Sequence, residues 1–127
     1  MRLTAPEKIA AARNETVTVD VVAKLKDGYH VNSNVAPTYP LKLSLLENPA
    51  AQLLNVVFPV PKSHQLAGET LSVFDGEFRL KLTFKVAQNA PIGRTLLTSK
   101  VSYQACDDRV CLRPDSIQLK LPLDIRN

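Results

Sequence analysis

Two stretches of this chain alternate apolar and polar residues too strictly for a helix. In Glu15–Lys26, Val17, Val19, Val21, Ala23 and Leu25 share one side; in Glu77–Val86, Phe78, Leu80, Leu82, Phe84 and Val86 do the same. A strand turns successive side chains to opposite faces, so a period of two marks half-buried strands whose apolar face needs a second layer over it. Leu41 to Leu46, Gln52 to Phe58, Leu71 to Phe74, Arg94 to Tyr103 and Ser116 to Leu123 read as further strands. Between them stand breakers: Asp27-Gly28, Glu47-Asn48-Pro49, Asp75-Gly76 and Asn89-Ala90-Pro91-Ile92-Gly93. About eight strands at regular spacing, with no helical period longer than two turns, predict an all-β antiparallel sandwich. A length of 127 residues suits a single domain, 1–127, with a real core.

Met1 to Asn14 is expected to be mostly extended, and Asp27-Gly28 to return the chain as a strand at Tyr29–Asn32. Asn34 to Pro40, with two prolines, is a loop. Pro122 is expected to mark an edge or a bulge. Lys62 to Thr70 has few apolar residues and is the best candidate for a mobile loop, an ordinary hairpin connection being the alternative, with His64 solvated in it.

Composition removes several functions. The net charge of +4 is mild, and residues such as Lys24, Lys42, Arg79, Lys81 and Lys85 stand singly, without the basic and aromatic interleaving of a nucleic-acid surface. No apolar run approaches the roughly 20 residues of a membrane span, and the amino terminus lacks a signal-peptide core. The chain is therefore expected to be either processed or cytosolic. No phosphate loop, Ser-His-Asp set or paired carboxylates can be placed.

The remaining chemistry lies in Tyr103-Gln104-Ala105-Cys106-Asp107-Asp108-Arg109-Val110-Cys111-Leu112-Arg113-Pro114, which holds both cysteines. If the strand ending near Cys106 reverses through Asp107–Val110 and Cys111 opens the return, the two are cross-strand neighbours about 4.5–5.5 Å apart and able to bond. Such a bridge closes a loop of about six residues, worth about 2 kcal/mol of unfolded-state entropy against more than 4 for one spanning distant strands. A cheap bridge suits a pair that must exist in both redox states, but a passive staple remains open on these residues. Asp107 and Asp108 oppose thiolate formation and Arg109 favours it, so no strongly activated nucleophile is expected. Two cysteines fall short of the usual four zinc ligands, and no metal or cofactor is expected. His30, at a strand start, reads as a hydrogen-bonded structural residue or as a neighbour of the cysteine hairpin.

The cysteine segment resembles the active-site hairpin of the N-terminal periplasmic domain of DsbD, the thiol:disulfide interchange protein, and related stand-alone domains. Asp27-Gly28-Tyr29-His30-Val31-Asn32-Ser33-Asn34, Phe58-Pro59-Val60-Pro61 and Phe74-Asp75-Gly76-Glu77 resemble further segments of that family, in the same order. The resemblance implies an immunoglobulin-like β-sandwich in the periplasm, its targeting segment removed, with Cys106 and Cys111 as a redox pair. It implies reduction by a membrane-embedded reductase through a thioredoxin-like domain, with periplasmic oxidoreductases as clients and membrane contact only through a fused or partner domain. By analogy Cys111 is attacked first, and Tyr29 and Tyr103 match aromatic positions near the pair. Some relatives cover the disulfide with an aromatic on a flexible loop. Lys62–Thr70 has none, and Leu66 is the expected substitute as an apolar lid. The rival expectation is a non-catalytic immunoglobulin-like binding module whose disulfide only stiffens a loop.

Overall fold

The computed structural model describes residues 1–127 throughout. The chain forms β1 (Arg2–Thr4), β2 (Ile9–Ala12), β3 (Thr16–Lys24), β4 (His30–Asn32), β5 (Lys42–Leu45) and β6 (Ala51–Val57). It continues as β7 (Lys62–Leu66), β8 (Glu69–Asp75), β9 (Glu77–Val86), β10 (Gly93–Tyr103), β11 (Ala105–Cys106) and β12 (Asp115–Arg126). The two long alternations are β3 and β9, antiparallel partners in unbroken register from Thr16↔Lys85 to Lys24↔Glu77. β1 and β6 complete a sheet of order β1-β3-β9-β6, and a second sheet has the order β2-β12-β10-β5.

The inward faces of these two sheets make the core. Val21, Leu80, Leu82 and Phe84 from one, and Leu97, Val101, Leu121, Leu123 and Ile125 from the other, are all buried in a single cluster of 23 residues. Burying each such side chain is worth about 1.5–3 kcal/mol relative to exposure. The alternate residues point to water, where Arg79 and Lys81 lie 3.5 and 4.0 Å from Asp20. An immunoglobulin-like β-sandwich results: the alternation called for two layers, and the immunoglobulin-like form is the one the family resemblance implied.

A third sheet, β11-β4-β8-β7, holds the cysteine segment. Its attachment involves all three of the further motif segments. Phe74 lies between Phe58 and Phe78, with ring centroids 6.5 and 4.9 Å away. Buried Ser33 places its hydroxyl 2.7 Å from that of Ser72 and accepts the Val35 N–H, fixing the exit of β4 beside β8.

Several expectations need correction. There are twelve strands, because β1, β2, β7 and β11 are too short or too polar to show a period. The sandwich is not wholly antiparallel: β2 runs parallel to β12, from Ile9↔Leu123 to Ala12↔Arg126. Asp27-Gly28 turns the chain, with the Tyr29 N–H donating to Lys26 O at 3.1 Å, but β4 does not return along β3. Both sides of β3 are already taken by β1 and β9, so β4 pairs with β8 and β11 instead. Pro122 makes no bulge, since β10 and β12 stay in register through Leu96↔Pro122. It sits where β12 is still open on its other side, β2 pairing only from Leu123.

Lys62–Thr70 is a hairpin, not a loop, with β7 and β8 paired from Lys62↔Val73 to Leu66↔Glu69. β7 is an edge strand held by its backbone, with Ser63 and Gln65 exposed on one face and only His64 and Leu66 half-buried on the other, so it needs no strong apolar alternation. Its turn places Ala67 and Gly68 at φ +51° and +82°.

Candidate functional site

β10 and β12 form one long hairpin whose last pair is Tyr103↔Asp115, and the cysteine segment is its tip. Three residues lead from Tyr103 to Cys106 but four from Cys111 to Asp115, so Arg113-Pro114 carries one extra residue into the returning arm. An extra residue kinks a ladder, and Pro114 has no N–H to continue it. The tip bends away from the second sheet and joins the third, where Ala105 pairs with Val31 and Cys106 with His30.

Within the tip the backbone closes at two levels. The Leu112 N–H donates to Ala105 O and the Asp107 N–H to Val110 O, both at 2.9 Å. Cys106 and Cys111 lie between these levels as a directly opposed pair, the arrangement that brings Cα atoms closest in an antiparallel ladder. They form a disulfide with Cα atoms 4.0 Å apart, closer than the spacing expected from sequence. Cys111 does not open a strand, as β12 begins only at Asp115.

The turn is built on Asp107. One of its carboxylate oxygens accepts the N–H groups of Arg109 at 2.8 Å and Val110 at 2.7 Å, the second in place of a backbone carbonyl. These bonds, aided by the charge of Arg109, hold the Asp107 carboxyl below its ordinary range. Gln104 donates to Leu112 O at 3.2 Å and braces the other end.

The two sulfur-bearing residues differ in access. Cys106, in β11 and paired with His30, is 3% exposed, while Cys111 is exposed with Val110 and Leu112 beside it. Arg109 is also exposed, and Tyr29 and Tyr103 are half-buried against the core. Burial, and then the nearby Asp115 carboxylate, raise the Tyr103 phenol above its ordinary pKa.

His30 is buried, but it is not the hydrogen-bonded residue expected: its Nε2 has no partner. Burial, with the charge of His64 adding to it, keeps its imidazole below the ordinary histidine range, while Asp108, Asp75 and Asp107 oppose the shift. His64 is half-exposed rather than free in solvent. From β7 it reaches across to the tip, its Nε2 3.0 Å from Asp108 Oδ1, with its ring 4.8 Å from that of His30. The β7–β8 hairpin thus touches the cysteine tip through His64, while Leu66, half-buried, ends β7 at the turn. His64 and Asp108 are the site residues that sequence reasoning did not single out. The signal for His64 was a polar residue at the centre of a segment already suspected of covering the pair, and that for Asp108 was its place between the two cysteines.

With this geometry in hand, comparison with known proteins decides the family. The profile of the family described as "Thiol:disulfide interchange protein DsbD, N-terminal" matches residues 1–123. The chain belongs to this family. Among solved structures, the N-terminal domain of Neisseria meningitidis DsbD in the reduced form aligns with a TM-score of 0.53 at 17% identity, over 84% of this chain and 77% of that one. The N-terminal periplasmic domain of ScsB from Proteus mirabilis aligns with a TM-score of 0.60 at 14% identity, over 96% of this chain but 44% of that one. At these identities the likeness is one of fold. No curated protein matches the chain in sequence. Membership of the DsbD N-terminal family and a formed disulfide together support a thiol-disulfide exchange domain.

Proposed function

We propose that this domain relays reducing equivalents in the periplasm through reversible opening of Cys106–Cys111. The observation that carries the proposal is the unequal access of the two cysteines, one buried and one exposed, in a tip closed by its own hydrogen bonds. Exchange requires in-line approach of a thiolate to one sulfur while the other leaves. Cys111 is the residue a partner can reach.

In the reducing half, a donor thiolate attacks Cys111 Sγ; the bond to Cys106 breaks and Cys106 leaves as a thiolate that takes up a proton. The donor's second thiolate then attacks the donor sulfur of the mixed disulfide, freeing Cys111 and leaving the donor oxidised. In the second half, the Cys111 thiolate attacks a client disulfide, and Cys106 resolves the mixed disulfide by attacking Cys111 Sγ. Two electrons pass from donor to client, and the domain returns to its disulfide form. The donor is a thioredoxin-like domain or a membrane-embedded reductase, and the clients are periplasmic oxidoreductases. Val110 and Leu112, each about half exposed beside Cys111, supply apolar contact for either partner. Tyr29, His30 and Tyr103 support the tip, and Arg109 offsets the charge of Asp107 and Asp108 beside the departing thiolate.

Single-cysteine variants test the assignment. Cys106→Ser, which retains Cys111, should form a mixed disulfide with an aromatic disulfide reagent at least tenfold faster than Cys111→Ser, which retains only Cys106. Equal rates, or a faster Cys106, would reverse the roles.

A further inference from the structure

His30, His64 and Asp108 come from β4, β7 and the cysteine turn, yet their ligand-type atoms all lie within 4.8 Å of one another. His30 is 5% exposed and its Nε2 is orphaned, whereas buried polar atoms in folded proteins are nearly always paired.

Two imidazoles and one carboxylate form a donor set for zinc-class divalent cations, which bind three protein ligands and leave a fourth position open. Tetrahedral bonds of about 2.0–2.1 Å place ligand atoms about 3.3 Å apart. The 3.0 Å between His64 Nε2 and Asp108 Oδ1 is already close to that value. The widest spacing in the cluster, 4.8 Å, has to close by about 1.5 Å to reach it. Asp108 sits on an exposed turn and His64 on an edge strand, so both can shift towards buried His30.

We propose that His30, His64 and Asp108 form a binding site for a zinc-class divalent cation beside the cysteine pair. An ion there joins the β7–β8 hairpin to the turn that carries the disulfide, and it does so with the cysteines oxidised. The site therefore does not depend on the exchange reading.

The test uses tag-free, chelator-stripped protein in the disulfide form, so that no thiolate is available. Zn²⁺ titration followed by calorimetry should show one ion per chain at micromolar concentrations, and Co²⁺ should give the intense visible absorption of a four-coordinate ion. His64→Ala and Asp108→Asn alter half-exposed and exposed residues, so both should fold, and each should weaken Zn²⁺ binding at least tenfold. His30→Asn, checked for folding by circular dichroism, should do the same. Absence of stoichiometric binding, or affinity unchanged in His64→Ala, would overturn the proposal. So would binding that requires reduction and is lost in Cys106→Ser, which would assign the ion to the dithiol.

Discussion

Reducing the disulfide should leave the domain folded at a modest cost that can be calculated. Cys106 and Cys111 are separated by 5 positions and close a loop of six residues. The chain-entropy relation gives about 7.4 cal/mol/K for a loop of that size, or about 2 kcal/mol at 25 °C. On the native side, the bonds Asp107 N–H to Val110 O, Leu112 N–H to Ala105 O and both bonds to the Asp107 carboxylate do not need the S–S link. A domain of 127 residues has about 6–19 kcal/mol of stability on per-residue averages, so the loss is tolerable. With an unfolding entropy of about 2.1 cal/mol/K per residue, the midpoint should fall by about 8 °C. Urea denaturation of oxidised and dithiothreitol-reduced protein reads the difference directly. A cost above about 4 kcal/mol, or loss of cooperative unfolding on reduction, would refute the reasoning, since that is the range of bridges that tie distant chain together.

Single residues give further expected outcomes. Ala67 holds φ +51° ahead of Gly68, a conformation that Asn tolerates better, so Ala67→Asn should raise unfolding stability by about 0.5–1 kcal/mol in urea titration; a loss would show that the alanine methyl is needed there. Asp107→Ala removes the acceptor of the Arg109 and Val110 N–H groups, and amide hydrogen exchange at those two positions should accelerate; unchanged protection would mean that the backbone alone holds the turn. The Tyr103 phenol keeps its proton in the folded state to higher pH than in the unfolded chain, so its contribution is complete below pH about 10 and is lost as pH rises through the folded value. Tyr103→Phe should therefore flatten part of the stability decline above pH 10, and an identical decline would remove Tyr103 as its source.

What the sequence made legible was whatever repeats or stands alone chemically. Val17 to Leu25 and Phe78 to Val86 could bury their apolar faces only in a two-layer β structure, and they form the paired centre of one sheet. The cysteine hairpin was readable because Asp107 is suited to reverse the chain and only two cysteines exist. β7 was not legible, because an edge strand bonded through its backbone has no side-chain signature. Nor was the destination of β4, since Asp27-Gly28 specifies a turn but not which sheet has a free edge to receive the next strand. The His30–His64–Asp108 cluster was hidden for the same reason: its members lie 34 and 44 positions apart and meet only through the third sheet.

The measurement that bears most directly on the relay is the equilibrium of Cys106 and Cys111 with a glutathione redox buffer, read by thiol trapping. A relay requires a potential between about −180 and −270 mV, among those of other exchange proteins. A pair that stays oxidised to potentials below about −300 mV would be a structural bridge and would contradict the proposed function.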